Sequence, residues 1–182
     1  AGACSDEEVY KIEMLMNQAG ITVHDRPVVD AAMKRAEETG APAAAMELHD
    51  GRMVTGKTSD LLGACAALLL NALKELAGIP HDRPVISPAA IEPIQTLKTQ
   101  YLGSKNPRLH TDEVLIALSV SAASDPDAQK ALEQLPNLKG CQAHTSVMVG
   151  DVDRKQFMKL SVQATFEAKY ENNSVFFPKK GV

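Results

Sequence analysis

Aromatic residues and positive charge are both scarce in this sequence. It has no tryptophan, and aromatic residues make up only 4% of its 182 residues, so platforms for stacking nucleic-acid bases are poorly supplied. The 19 lysines and arginines stand against 23 aspartates and glutamates, which gives a formal net charge of −4. Binding to phosphate backbones requires clustered basic residues, and no such cluster is visible. We therefore predict no nucleic-acid partner.

Long apolar runs are also missing. The longest, residues 61–70, is about half the roughly 20 residues that a membrane-spanning helix needs. The first residues contain no basic region followed by an apolar stretch, so a signal peptide is not predicted either. The three cysteines, Cys4, Cys65 and Cys141, cannot all pair with one another and follow no disulfide spacing. These features predict a cytoplasmic protein without a membrane partner.

The sequence does have the composition of a compact domain, with 45% hydrophobic and 23% charged residues. Ser5 and Glu8 fit a capping box that begins one helix, and Pro27 suits the first turn of a second. We predict three parts: an N-terminal helical segment over residues 1–40, an α/β core domain over residues 41–170, and a loose polar tail over residues 171–182.

Residues 51–58, GRMVTGKT, match the letters of the phosphate-binding loop G-x-x-x-x-G-K-[ST]. The residues between its glycines alternate like a β-strand instead, and an Asp-Gly pair at their start suits a tight hairpin turn. A two-residue loop would pair Leu48 with Met53 and Met46 with Thr55, so that Leu48, Met53 and Met46 share one face. A hairpin strand cannot also curl around phosphate, so nucleotide hydrolysis is not predicted.

The segment after this hairpin, residues 61–76, is apolar on all sides and predicts a central buried helix capped by Thr58 or Ser59. The remaining sequence predicts strands in CQAHTSVMV and SVQATFEAKY. Further helices are predicted to begin at Ser87-Pro88, Thr111, Asp125-Pro126 and Asp151. Strands that alternate with helices predict a helix-rich α/β fold on a small mixed sheet.

Two polar segments are candidate sites for a small anionic ligand, a phosphate or a carboxylate. The first lies where the second hairpin strand meets the start of the long helix, where free N–H groups favour anions. The second lies between two apolar helices and contains basic side chains that can hold such a ligand. The candidate ligand-binding residues are Lys57, Thr58, Ser59, Ser104, Lys105, Asn106 and Arg108. The alternatives are a plain helix cap for the first segment and a solvated loop for the second.

The second segment, residues 102–113, also contains two candidate catalytic groups. His110 titrates near neutral pH and could move a proton, while Asp112 could orient it or cap a helix. Cys141 and His144 have the spacing C-x-x-H, but alternate residues of a strand face opposite sides, so no metal site is predicted. The sequence identifies no cofactor.

Three long segments resemble a known family: DGRMVTGKTSDLLGACAALLLNALKELAGI, SPAAIEPIQTLKTQYLGSKNPRLHTDEVLIALS and ALEQLPNLKGCQAHTSVM. They are similar to the C-terminal part of an uncharacterised bacterial family, the "domain of unknown function eighteen-forty-six" proteins, over about residues 41–170. The resemblance implies a three-layer α/β/α domain with a topology similar to cytidine deaminases. It also implies longer relatives with a preceding N-terminal region. Zinc deamination requires H-x-E and P-C-x-x-C, and neither motif is present.

Two functional hypotheses follow. In the first, the chain is the anion-binding part of a larger cytoplasmic enzyme. In the second, it is a structural or oligomerisation domain without its own activity, which forms a homo-oligomer or packs on a preceding region. A common pocket for the two polar segments would favour binding, whereas their separation on convex surface would favour assembly.

Overall fold

The computed structural model describes residues 5–170, so the predicted tail over residues 171–182 lies outside the described residues. Within that range the chain forms seven α-helices and one four-stranded sheet. The elements are α1 (Asp6–Ala19), α2 (Pro27–Thr39), β1 (Ala43–Glu47), β2 (Met53–Lys57), α3 (Ala64–Leu76), α4 (Pro88–Thr96), α5 (Thr111–Ala122), α6 (Pro126–Leu132), β3 (Gln142–Thr145), α7 (Asp151–Lys159) and β4 (Gln163–Phe166).

The sheet is mixed, with strand order β2-β1-β3-β4. Strand β1 is antiparallel to both neighbours, whereas β3 and β4 are parallel. Successive strand residues face opposite sides, so Ala45 packs with Val28 and Ala32 of α2, while Met46 joins the larger core that contains α3. The sheet therefore lies between two helical layers, which confirms the α/β prediction. The more specific likeness to the cytidine-deaminase topology is not confirmed.

Helix α3 is central, as its sequence predicts, because Leu68, Leu69 and Leu73 have no exposed surface. Its predicted start is wrong: the helix begins at Ala64, and its N-cap is Gly63 rather than Thr58 or Ser59. The reason is a turn before the helix, in which the Ser59 hydroxyl accepts hydrogen bonds from the N–H groups at positions 61 and 62. These N–H groups are therefore engaged outside the helix.

The β1–β2 hairpin exists, but its predicted register is wrong by one residue. Met46 pairs with Val54 rather than Thr55, and the N–H of Leu48 donates to the carbonyl of Arg52, so Leu48 lies opposite Arg52 rather than Met53. The loop has three residues instead of two, and it ends at a glycine with φ of 82°. Met46 and Leu48 are buried on the α3 face, whereas Met53 lies on the other face and is 36% exposed.

Gly56, the second glycine of the GRMVTGKT segment, allows α3 to cross β2 at very short range. A Cβ atom at this position would lie 2.2 Å from the backbone nitrogen of Leu68 and 2.7 Å from the carbonyl carbon of Ala67. Real Cβ atoms are essentially never that close to backbone atoms, so only glycine fits between this strand and helix. The glycine thus serves helix–strand packing, and the segment is a strand rather than a phosphate loop.

Several local predictions from the sequence are confirmed. The Ser5–Glu8 capping box begins α1, α2 begins at Pro27, and α5 begins at Thr111. Cys141 belongs to the core on the α3 side, whereas His144 lies on the α2 side, where its Nδ1 is 2.8 Å from the hydroxyl of Thr165. Among residues 5–170, no helix combines the length and apolar character needed to span a membrane.

Candidate functional site

A cleft of about 100 Å³ opens at the edge of the sheet where β3 ends. We call it the helix-start cleft, because the first residues of three helices line it. They are Gly63, Ala64 and Cys65 at the start of α3, His110 at the start of α5, and Gly150 and Asp153 at the start of α7. Because β1 and β3 are antiparallel, Pro42 before β1 and Thr145 at the end of β3 meet at this edge.

The loop that carries the second polar segment is fastened to the turn before α3. The N–H of Leu109 donates to the carbonyl of Leu61 at 2.9 Å, and the N–H of Gly63 donates back to the carbonyl of Leu109 at 3.2 Å. In addition, Arg108 Nε donates to the carbonyl of Ser59 at 2.7 Å. The two polar segments are therefore held together, although they lie far apart in the sequence.

A buried ion pair fixes the other side of this loop. The Lys98 ammonium is almost fully buried and donates to the carbonyl of Arg108 at 2.5 Å and to the carboxylate of Glu113 at 2.7 Å. The same carboxylate accepts the N–H of His110 at 2.8 Å. A buried charge with several partners resists displacement, so the backbone from Arg108 to His110 is held in one position.

His110 and Asp153 form a titratable pair in the wall of the cleft. His110 Nδ1 lies 3.3 Å from Asp153 Oδ2, and the other carboxylate oxygen accepts hydrogen bonds from the N–H and hydroxyl of Thr111 at 2.9 and 2.8 Å. The hydrogen bond to Asp153 outweighs burial and raises the pKa of His110 above its ordinary value. Burial of Asp153 opposes its charge, but the hydrogen bonds from His110 and Thr111 prevail and lower its pKa. The pair therefore favours an ionised carboxylate beside a histidine that holds its proton more strongly than usual.

The second ring nitrogen of His110 is directed away from Asp153. Its Nε2 lies 3.4 Å from the side-chain nitrogen of Asn106, another residue that lines the cleft. When the imidazole is neutral and Nδ1 carries the proton toward Asp153, Nε2 is the nitrogen that can accept a proton. The carboxylate of Asp153 therefore selects the tautomer of His110 in which Nδ1 carries the proton.

Of the predicted ligand-binding residues, Thr58, Asn106 and Arg108 line the cleft together with His110. Ser59 contributes its carbonyl to Arg108, as described above. The remaining predicted residues, Lys57, Ser104 and Lys105, are not part of its lining. Their functional assignment stays a prediction.

Lys57 and Asp112 have other surroundings. Lys57 pairs with Ala43, which places its side chain on the α2 face of the sheet. The Asp112 carboxylate accepts the N–H of Glu113 at 2.8 Å. The sequence leaves two functions open for Asp112, orienting His110 or capping a helix. This contact fits capping, because the carboxylate that contacts the imidazole of His110 belongs to Asp153.

Asp153 and Cys65 are two titratable residues of the cleft that sequence reasoning did not identify. Asp153 lies 43 residues after His110 and looks in the sequence like any acidic residue in the first turn of a helix. Cys65 is 3% exposed, and its burial, together with the nearby Asp153 carboxylate, raises the pKa of its thiol well above the ordinary value. It is a neutral thiol in the cleft wall. Among the described residues, no group of three or more His, Cys, Asp or Glu side chains is arranged to hold a metal ion.

Comparison with known proteins identifies clear relatives. The family described as "Domain of unknown function DUF1846, C-terminal" matches residues 24–176. A UPF0371 protein of Corynebacterium glutamicum is 57% identical over 91% of this chain and 34% of its own length. A UPF0371 protein of Streptococcus thermophilus is 49% identical over 92% of this chain and 34% of its own length. The chain therefore spans about a third of the length of the curated relatives that it matches.

Proposed function

This chain belongs to the DUF1846 C-terminal domain family. The family description names no activity, so the proposal comes from the site. We propose that the domain binds a small anionic ligand, a phosphate or a carboxylate, in the helix-start cleft. In the longer proteins of this family, we propose that the cleft forms part of an enzyme's binding site. The free, buried thiols of Cys65 and Cys141 fit a protein that works in the cytoplasm.

The observation that carries this proposal is the convergence of three helix starts on one cleft. The first N–H groups of a helix have no partner within the helix, and the helix dipole adds partial positive charge at this end. At the start of α5, the N–H groups of His110 and Thr111 are already accepted by Glu113 and Asp153. Among the described residues, no backbone partner accepts the N–H groups of the cleft-lining residues Ala64 and Cys65 in α3 or Asp153 in α7. Such groups are donors for the oxygens of a phosphate or a carboxylate.

Two side chains add positive charge beside these donors. Arg108 is only 5% exposed and lines the cleft, where the low-dielectric surroundings strengthen its attraction for an anion. His110 contributes a second positive charge whenever it is protonated, and its raised pKa extends that condition toward neutral pH. Asp153 lies on the same wall, so its carboxylate disfavours the anion unless His110 is protonated. Binding should therefore weaken as the pH rises through the raised pKa of His110.

The same pair supports a role in proton transfer. With Asp153 holding Nδ1, His110 Nε2 can donate a proton to a bound oxygen or accept one from it. In this proposal His110 is the proton carrier. Asp153 orients its ring, which is the role that the sequence suggests for Asp112.

The experiment is a thermal melt of the chain with inorganic phosphate, nucleotides, sugar phosphates and carboxylates, each compared with chloride at equal ionic strength. A ligand at ten times its dissociation constant should stabilise the fold by about 1.4 kcal/mol. The Arg108→Gln variant should lose this ligand-induced shift. The Lys139→Gln variant should keep it, because the exposed Lys139 precedes β3, at the end of the strand away from the cleft.

Each variant is compared with its own ligand-free melt, so a change in basal stability does not affect the result. An identical shift in Arg108→Gln and in the unsubstituted chain would contradict the proposed site. A shift that chloride reproduces would show screening of charge rather than binding.

The alternative, a structural or oligomerisation domain, is favoured by a different surface. Tyr10, Leu15 and other apolar residues of α1 are exposed. Exposed apolar patches mark interaction surfaces. Binding in the cleft and assembly through α1 are compatible, because they use opposite sides of the sheet.

A further inference from the structure

Helix α1 carries an apolar face that no other element of residues 5–170 covers. Val9, Ile12 and Leu15 follow one another at intervals of three residues and are 44%, 53% and 64% exposed. No other helix or strand of the described chain packs extensively on α1. A helix on the surface of a folded protein normally turns such a stripe toward a core. The apolar face of α1 therefore lacks its partner within this part of the chain.

This face continues into a groove on the α2 side of the sheet. The groove has a volume of about 430 Å³ and lies between the end of α1 and the end of β4. Apolar side chains of Met16, Ile21, Val23 and Phe166 line it, and Arg26 and Glu167 add charge. Ile21 and Val23 are themselves about half exposed. Because Met16 belongs to α1 and lines the groove, the exposed face of α1 and the groove adjoin, unlike the single exposed apolar residues of an ordinary protein surface.

The position of α1 in the sequence indicates what covers this surface. The family match begins at residue 24, so α1 lies before the C-terminal domain that the family description defines. The curated relatives are about three times longer than the matched region, since it covers 34% of their length. In such a protein α1 is the part of this chain next to the preceding region. A covalently attached neighbour has a much higher effective concentration than a second molecule.

We propose that the apolar face of α1 and the adjoining groove are the surface on which the preceding region of the longer proteins packs. The contact is apolar, with Leu15 at its centre and side chains of the preceding region filling the groove. The helix-start cleft lies on the other side of the sheet and stays accessible in this arrangement.

Hydrogen exchange tests the proposal. The full-length Corynebacterium glutamicum relative is compared with the fragment of it that matches this chain, and the present chain serves as a third sample. The amides aligned with α1 should exchange at least about tenfold more slowly in the full-length protein than in the fragment or in the present chain. That protection should persist on tenfold dilution, because the contact is within one molecule.

The other possible occupants give different results. Equal exchange of the α1 amides in the full-length protein and in the fragment would overturn the proposal. Protection that falls on dilution would assign the surface to a second copy instead. A second-copy contact would also make the present chain sediment as a dimer that Leu15→Glu dissociates, while the control Glu13→Gln does not. The remaining possible occupant is the chain's own tail. In that case the α1 amides would already be protected in the fragment and in the present chain. This protection would vanish when residues 171–182, or their counterparts in the fragment, are deleted.

Discussion

Replacing Gly56 with alanine should strongly destabilise the domain. The added Cβ atom would lie 2.2 Å from the backbone nitrogen of Leu68 and 2.6 Å from its Cα, whereas ordinary contacts begin at 3.4 Å. Overpacking a core typically costs about 1 to 3 kcal/mol, and side chains usually relieve part of it by rotating. Here the opposing atoms belong to a helix backbone, which can relieve the clash only by moving α3 away from β2. We therefore expect a loss of about 3 kcal/mol or more, the upper end of that range.

Urea unfolding followed by circular dichroism measures this loss. For a domain of this size, about 3 kcal/mol corresponds to a fall in Tm of about 6 to 12 °C. Gly63→Ala is the matched control: Gly63 has an ordinary φ of −69°, and its added Cβ would meet only the carbonyl of Leu109 at 3.7 Å. As an N-cap change it should cost at most about 1 kcal/mol. Equal midpoints for the two variants would refute the packing argument.

Three further predictions concern the core, the titratable pair and the surface. Leu69→Ala should cost about 2 to 5 kcal/mol in urea unfolding, because Leu69 is fully buried and leaves a cavity; a neutral change would contradict its place in the core. The stabilisation from His110 beside Asp153 should be fully present below about pH 6.5 and disappear as the pH rises through its raised pKa. The Tm advantage over His110→Gln should therefore shrink as the pH rises above about 6.5; a constant advantage would argue against the pair. Arg52→Ala should leave the urea midpoint nearly unchanged, because its ion pairs with Asp50 and Glu75 are solvent-exposed. A clear fall in the midpoint would show that these pairs matter more than their exposure suggests.

Features that depend on neighbouring residues were predictable from the sequence. Ser5 and Glu8 satisfy each other's backbone N–H groups within one turn, and Pro27 needs only its own fixed φ to begin α2. Residues 61–76 are apolar on every side, which suits only a helix buried from several directions. No tertiary information is needed for these features, and the structure confirms them except for the exact start of the central helix, which begins at Ala64.

The hairpin register and the start of α3 show where sequence information ends. An Asp-Gly pair fits a two-residue loop and also the last two positions of a three-residue loop, and only the pairing of Leu48 with Arg52 distinguishes them. Ser59 is a good helix cap by composition, but its hydroxyl binds the N–H groups of a preceding turn. The competing structures use the same residues, and contacts elsewhere in the fold decide between them.

The candidate site was predictable only in part. Thr58, Arg108 and His110 belong to segments that the sequence identifies as polar interruptions between apolar elements, and the structure brings all three to one cleft. Asp153 could not be assigned to His110 from the sequence, because their contact depends on how α7 packs beside α5. A carboxylate acquires such a role only through tertiary packing.

The central position of β1 also affects the order in which the domain assembles. Its contact with β2 closes a short loop, whereas its contact on the other side joins residues as far apart as Ala43 and Ser146, a separation of 103 residues. Closing the longer loop costs more entropy, so we expect the hairpin to form early and β3 to join late. The residues that line the helix-start cleft come from both stages. Gly63 belongs to the part that we expect to form early, and Asp153 belongs to the part that we expect to form late. A ligand bound there joins the last part of the domain to assemble to the first, and it should therefore slow unfolding more than it accelerates folding.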